Sequence, residues 1–284
     1  MNIAIPVQED TPASLAEISG NIGTLSTRLA VTGNEIREAQ RVRYKVFCEE
    51  MSARKNPARF LTRREKDAHD KVCDHLLVID KPVGSVSRIV GTQRFFVKSA
   101  LEKKPPFYSQ PEFDLEALAE KFPQQRFMEL GRSCILPAYR EKRTMELMWH
   151  GTWAYALKQK ADVMVGCASF QANNFEKIGP GLGFLGEHAL CQPEWDTPAL
   201  GRNAVPLRQF TMGEVTQKRA LASLPPLIKG YLRLGAKFAS HAVPDPDFGT
   251  IDILVVLPVS AINPRYVNYY GADASRHRGL ANPD

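Results

Sequence analysis

The segment Met128–Cys134, MELGRSC, sets a carboxylate, Glu129, three residues before a guanidinium, Arg132, within a run of strand character. On a regular strand, side chains three apart point to opposite faces. Gly131 between them can host a β-bulge, which would return both to one side and turn backbone N–H groups outward. Outward N–H groups are what a carbonyl oxygen needs as it becomes negative during acyl transfer. An ordinary strand with a surface ion pair fits the same spacing, so the spacing leaves both readings open.

A second group of charges could join them. Thr32-Gly33-Asn34-Glu35 has the form of a capping box, and the helix it starts carries Ile36, Ala39, Arg43, Val46 and Phe47 along one stripe. Arg43 therefore faces inward, which is costly unless carboxylates meet it. The alternative is that it snorkels from the edge of the stripe. Asp67, Asp70 and Glu129, with Arg43, Arg94 and Arg132, could satisfy one another in a common pocket. Such a set suits an amino acid, with guanidinium forks for its carboxylate and carboxylates for its ammonium. It suits a purely structural role equally well. Further on, Tyr139–Thr144 is a polar turn before a helix, where Arg140, Lys142, Arg143 and Thr144 could hold a phosphate.

Other chemistries lack their patterns. There is no Walker A run, Ser169 lacks a GxSxG elbow, and His75, His150 and His188 have no ligand spacing, so no metal is expected. The five cysteines are far apart without CxxC pairs, which points to a reducing compartment. The N-terminus does not read as a secretory signal, and the longest apolar stretch, Ile251–Ile262, is too short to span a bilayer. A cytoplasmic protein, soluble or peripheral on the inner face of the cytoplasmic membrane, is expected. Lys and Arg number 37 against 31 Asp and Glu in 284 residues, a net charge of +6, which favours an acidic partner: nucleic acid, anionic lipid or acidic protein.

The elements that must position these residues follow from periodicity. After a polar, basic loop over Ser52–Lys66, strands are expected at His75–Asp80 and around Val86–Val97, then a short helix near Leu115–Lys121 and a strand at Phe127–Leu136. A long helix with Thr144 as N-cap leads to a buried strand, Val163–Phe170, making a β-α-β unit. Gln171–Ser223 reads as irregular. Beyond Pro225-Pro226 a basic amphipathic helix would set Lys229, Arg233 and Lys237 on one face, a surface for a membrane or an acidic protein, although a solvated face over a core helix is the plainer meaning. Thr250–Leu257 reads as a strand. The chain divides by this reading into a segment 1–30, a core 31–170, an extension 171–271 covering the cleft, and a flexible tail 272–284.

Several segments together resemble a known family: AQRVRYKVFCEEM (39–51), DAHDKVCDHLLVID (67–80), VGTQRFF (90–96), FYSQPEFDL (107–115), MELGRSCILPAYR (128–140), LMWHGTWAY (147–155), VGCASF (165–170) and LPPLIKGYLRLGA (224–236). They are similar to bacterial N-acyltransferases of ornithine-lipid biosynthesis that depend on acyl carrier protein, relatives of the acyl-homoserine-lactone synthases. The resemblance implies an α/β, GNAT-like fold, a central mixed twisted sheet flanked by helices with a helical or irregular C-terminal extension. It implies transfer of a fatty acyl group, typically 3-hydroxylated, from acyl carrier protein to the α-amine of L-ornithine, giving a lyso-ornithine lipid. No cofactor is bound permanently, the donor being the phosphopantetheine of acyl carrier protein, and no nucleic acid is involved.

The same resemblance assigns catalytic roles to Glu129, as general base, and Arg132, with oxyanion donors near Arg132–Cys134. It assigns substrate binding to Arg43, Phe47, Asp67, Asp70, Arg94, Phe107 and Ser133, with Phe47 and Phe107 along the acyl channel. Arg140, Lys142, Arg143 and Thr144 would meet the pantetheine or its carrier, and Lys229, Arg233 and Lys237 the carrier or the membrane. Ala53 stands where a lactone synthase is expected to have tryptophan, the chain extends well beyond Phe170, and REKRTM (140–145) is a degenerate form of the usual glycine-rich turn. These departures favour the lipid-forming branch and carrier-bound pantetheine over coenzyme A. Acylation of glycine or another amino acid is the alternative within the class, and a non-catalytic membrane-binding protein the alternative outside it.

Overall fold

The computed structural model describes residues 19–51, 53 and 57–262, so the tail expected at 272–284 lies outside the described residues. These divide into two compact units, one formed by residues 19–96 and 131–160 and the other by 97–130 and 161–262.

The first unit is built on strands β1 (Gly20–Ile22), β2 (Leu25–Leu29), β3 (Asp74–Asp80) and β4 (Arg88–Lys98), each antiparallel to the one before. The latter part of β5 (Phe127–Ile135) lies beside β4, and the Leu136 N–H donates to the Val90 carbonyl at 2.9 Å. Alternation along β3 serves two cores. Leu77 and Ile79 pack with Ala39, Val42 and Val46 of the helix Gly33–Arg43 and its continuation, while Val78 packs with Leu147 and Met148 of the helix Lys142–Lys158. Gly151 permits the close approach of the second helix, because a Cβ there would stand 2.7 Å from Leu76 Cδ1.

The capping box is present as expected: Thr32 Oγ1 accepts from the Glu35 N–H and Glu35 closes back on the Thr32 N–H. The α-helix then widens into a seven-residue π-helix, Tyr44–Glu50, a departure that tends to mark functional sites. The long helix begins earlier than its hydroxyl suggested. Glu141 is the N-cap, without a side-chain cap bond, and Thr144 is buried inside the first turn. Strands β1 and β2 occupy part of the N-terminal segment where no element was expected, and a short helix, Pro57–Thr62, interrupts the basic loop.

In the second unit, β5 starts parallel to β6 (Val163–Phe170), with Phe127 opposite Val163 and Glu129 opposite Val165. Beyond β6 the order is β9 (Thr250–Pro258), β8 (Lys237–Asp245) and the short β7 (Val205–Pro206), all antiparallel. A mixed arrangement of strands flanked by helices is what the resemblance implied. Helices occupy Leu115–Lys121, Gly179–His188, Gln217–Ser223 and Pro226–Leu234, so the stretch expected to be irregular contains two of them. The basic helix stops at Leu234, because Gly235 adopts φ 96° and ends it. Lys237 consequently opens β8 and does not continue the face of Lys229 and Arg233. No helix among the described residues is long and apolar enough to cross a membrane.

Gly166 is required at the β5–β6 junction: a Cβ there would lie 2.3 Å from the Leu130 carbonyl oxygen. Replacing it with alanine must displace backbone, not a flexible side chain. Gly166→Ala is expected to lower the unfolding free energy by about 2–3 kcal/mol, read as a lower urea midpoint.

Candidate active site

Arg43 has no exposed side-chain surface. Its Nη1 and Nη2 donate to the two carboxylate oxygens of Asp70, each at 2.8 Å, Nη2 also donates to the Glu65 carbonyl at 2.6 Å, and Nε lies 2.7 Å from Glu65 Oε2. Arg94 Nη1 donates to Asp67 at 2.7 Å and to Asp70 at 3.0 Å. Arg132 approaches Glu65 Oε1 at 3.3 Å and Asp67 Oδ2 at 3.5 Å. Three guanidiniums thus meet three carboxylates, and the inward Arg43 has the acidic partners its position on the helix demanded.

Local structure holds these groups in place. Asp67 caps a short turn, Ala68–Lys71, accepting from the His69 N–H at 2.8 Å, while its own N–H donates to Asp70. Gln40, one turn before Arg43, donates to Asp70 at 3.0 Å. Burial by itself would raise the pKa of Asp70, but the hydrogen bonds and charge of Arg43, with Arg94, hold it well below the usual carboxylate range. Asp67 is likewise lowered, burial being outweighed by Arg94 and Arg132. Burial pushes His75 down, so the ring beside the Asp70 carbonyl favours its neutral form.

Glu65 is the member that sequence reasoning missed. It follows Arg63-Arg64 in a polar run that reads as solvated loop, yet it is fully buried. The signal available was charge balance, since Arg43, Arg94 and Arg132 need a third acid once Glu129 is engaged elsewhere. Glu129 is indeed engaged elsewhere: its Oε2 and Oε1 accept the backbone N–H groups of Tyr108 and Ser109 at 2.7 and 2.8 Å. The left-handed residue of β5 is Arg132 itself, φ 50°, and not Gly131. A side chain in that conformation is sustained only by strong surroundings, here Glu65 and Asp67.

The remaining expected residues fall into separate places. Phe47 is half-buried in the π-helix against the first core, and Ser133 is half-buried on β5. Phe107 is fully buried in the second unit, edge-on to Phe127 at 6.3 Å and 4.9 Å beneath Lys98 Nζ. Arg140 spends its fork on Glu50, with two bonds of 2.6 Å, and its Nε on the Ile135 carbonyl, so it fastens the end of the π-helix to the turn. Lys142 and Arg143 are exposed beside the helix N-terminus, and the buried Thr144 Oγ1 has no hydrogen-bond partner among the described residues. A helix N-terminus with a buried hydroxyl and two cations is a set of groups that could hold an anion. Arg233 and Lys237 are exposed, whereas Lys229 is half-buried and donates to the Ala222 carbonyl.

Burial pushes the thiols of Cys134 and Cys191 up to about 12. Burial, then the charges of Glu112 and Asp252, carry Cys167 well above its ordinary value. Glu112, Cys167 and Asp252 are also the one trio among the described residues whose ligand atoms, within 4.8 Å of one another, could take a metal ion. In the structure Cys167 Sγ donates to Glu112 at 3.5 Å, which uses the proton that a metal would have to displace.

Residues 42–150 match the family model described as an acetyltransferase (GNAT) domain. The chain is 47% identical over 280 residues, 98% of this chain and 96% of the relative, to an L-ornithine N(alpha)-acyltransferase of Agrobacterium fabrum. It is 44% identical over 272 residues, 95% of this chain and 92% of the relative, to the L-ornithine N(alpha)-acyltransferase of Rhizobium meliloti. Among solved structures, the N-acyl amino acid synthase FeeM from uncultured soil microbes gives a TM-score of 0.49 at 12% identity, covering 90% of this chain and 96% of that one, a likeness too loose to decide anything.

The charge cluster sets an acid limit on stability. The folded-state pKa values of Asp67 and Asp70 are depressed, so their contribution is complete above about pH 4 and is lost as pH falls below it. Asp70→Asn leaves Arg43 underpaired and should cost about 3–5 kcal/mol at neutral pH. It should also flatten the acid limb of the stability–pH curve, measured by urea unfolding at a series of pH values.

Proposed function

The chain belongs to the family of L-ornithine N(alpha)-acyltransferases and is an N-acyltransferase, and from that premise we propose that its amine substrate is L-ornithine and its donor acyl carrier protein. The product is then a lyso-ornithine lipid, formed on the cytoplasmic side. One observation carries this reading above the rest: near-full-length similarity to several relatives that act, by name, on L-ornithine.

The residues suit the reaction. An α-ammonium must lose a proton before its nitrogen can attack, and Glu129, directly or through a water, takes it. Each Glu129 oxygen holds one backbone N–H and keeps acceptor capacity for a second donor. The nitrogen adds to the thioester carbonyl, the carbon becomes tetrahedral, and backbone N–H groups near Arg132–Cys134 receive the oxyanion. Collapse breaks the C–S bond and releases the pantetheine thiolate, which takes up a proton.

Arg132, held on β5 beside Glu65 and Asp67, meets the carboxylate of the amino acid. Glu65 and Asp67 hold Arg132, and Arg43, Arg94 and Asp70, tied to those two acids, orient the substrate through it. Phe47, Phe107 and Ser133 contribute to binding the acyl chain and the reacting end. The pantetheine phosphate binds at the first turn of the helix Lys142–Lys158, with Thr144, Lys142 and Arg143. Arg140 shapes that turn through Glu50.

Incubating the purified protein with acylated carrier protein and a panel of amino acids, with products weighed by mass spectrometry, is expected to give acyl-ornithine. Acylation of glycine alone would end the ornithine reading. Glu129→Gln should retain the circular dichroism of the wild type and lose turnover by about a hundredfold or more; near-normal turnover would remove Glu129 from the base role. Arg143→Ala should raise KM for the acyl carrier protein and leave KM for ornithine unchanged.

A further inference from the structure

One segment has surface chemistry that acyl transfer does not use. Residues 54–66, RKNPARFLTRREK, hold Arg54, Lys55, Arg59, Arg63, Arg64 and Lys66 against a single acid, Glu65. Glu65 points inward, fully buried on Arg43 and Arg132. At the end of the short helix Pro57–Thr62, Phe60 and Leu61 are 69% and 82% exposed. Arg63, with φ 48°, ends the helix, and Arg63 and Lys66 are exposed beside that apolar pair.

We propose that Phe60 and Leu61, with the exposed Arg63 and Lys66 beside them, dock the protein on an anionic lipid surface, the two apolar side chains entering the boundary of the acyl chains and the two cations lying among the headgroups. Adjacent large apolar side chains left in water beside exposed cations are the mark of an interfacial membrane element. Lipid is favoured over an acidic protein by size. A stable protein interface buries on the order of 1,600 Å² around an apolar centre, and a two-residue tip does not provide that centre, whereas a bilayer surrounds whatever enters it. The segment also leads directly into the site, since Glu65 and Asp67 are the carboxylates that hold Arg132. Docking would therefore set a fatty-acylated product beside lipid at the place where it is made. The docking itself does not depend on which amine is acylated.

The test uses the full chain and vesicles, read by co-sedimentation. Wild type is expected to bind vesicles of phosphatidylcholine mixed with phosphatidylglycerol, to bind phosphatidylcholine alone weakly, and to release as salt is added. Phe60→Ser with Leu61→Ser should reduce partition by about tenfold or more, with circular dichroism and transfer to a soluble amine unchanged. Arg63→Glu with Lys66→Glu should abolish the preference for anionic vesicles, while Arg233→Glu should leave it intact. Wild-type-like binding by the Phe60/Leu61 variant would overturn the proposal. So would a wild type that ignores vesicles, or one in which those two side chains serve only acyl carrier protein binding.

Discussion

Arg43 is a guanidinium with no exposed side-chain surface, and a lone buried cation would cost several kcal/mol. Everything nearby answers that cost. Asp70 binds it with a bidentate fork, Glu65 closes on its Nε, and a short capped turn presents Asp67 and Asp70 together. Because carboxylates that balance one arginine can be shared, the same acids also hold Arg94 and Arg132. A structural debt of the first helix is thereby turned into a rigid, charge-balanced support for one residue of β5.

That strand has different work at its two ends. Its first residues pair with β6 and end at Glu129, whose carboxylate is pinned by the backbone of Tyr108 and Ser109. Its later residues lie beside β4 and include the left-handed Arg132, turned onto Glu65 and Asp67. The Gly166 backbone crowds the Leu130 carbonyl between these two stretches, leaving no room for a side chain.

The cationic character of the chain is distributed over distinct tasks. Arg43, Arg94 and Arg132 are neutralised in the interior, Arg140 is committed to Glu50, and Lys98 is paired with Glu116. Lys142 and Arg143 flank a helix N-terminus suited to a phosphate, and Arg63 and Lys66 are exposed beside the exposed Phe60 and Leu61. Net charge alone could not separate these roles, because interior ion pairs and outward patches contribute to the same total.

Local signals in the sequence determined a great deal. The Thr32–Glu35 capping box, the inward Arg43, the short helix Leu115–Lys121 and the buried strand Val163–Phe170 are encoded by neighbours within a few residues, and each is present. The need of Arg43 for acids was legible too, because it follows from helical spacing and the cost of burying charge. Which acids would answer was not: Glu65 looks like loop surface, and Glu129, which seemed to belong to the same set, accepts backbone N–H groups from residues 108 and 109. Periodicity likewise carried the basic helix past Leu234, where left-handed Gly235 and the pairing of β8 with β9 overrode it. Gly131 is the residue with the conformational freedom, yet the cluster holds Arg132 in the left-handed state. Short-range order is set by residues that are neighbours in the chain, but burial and charge pairing are set by residues far apart in it, and only the folded chain decides those.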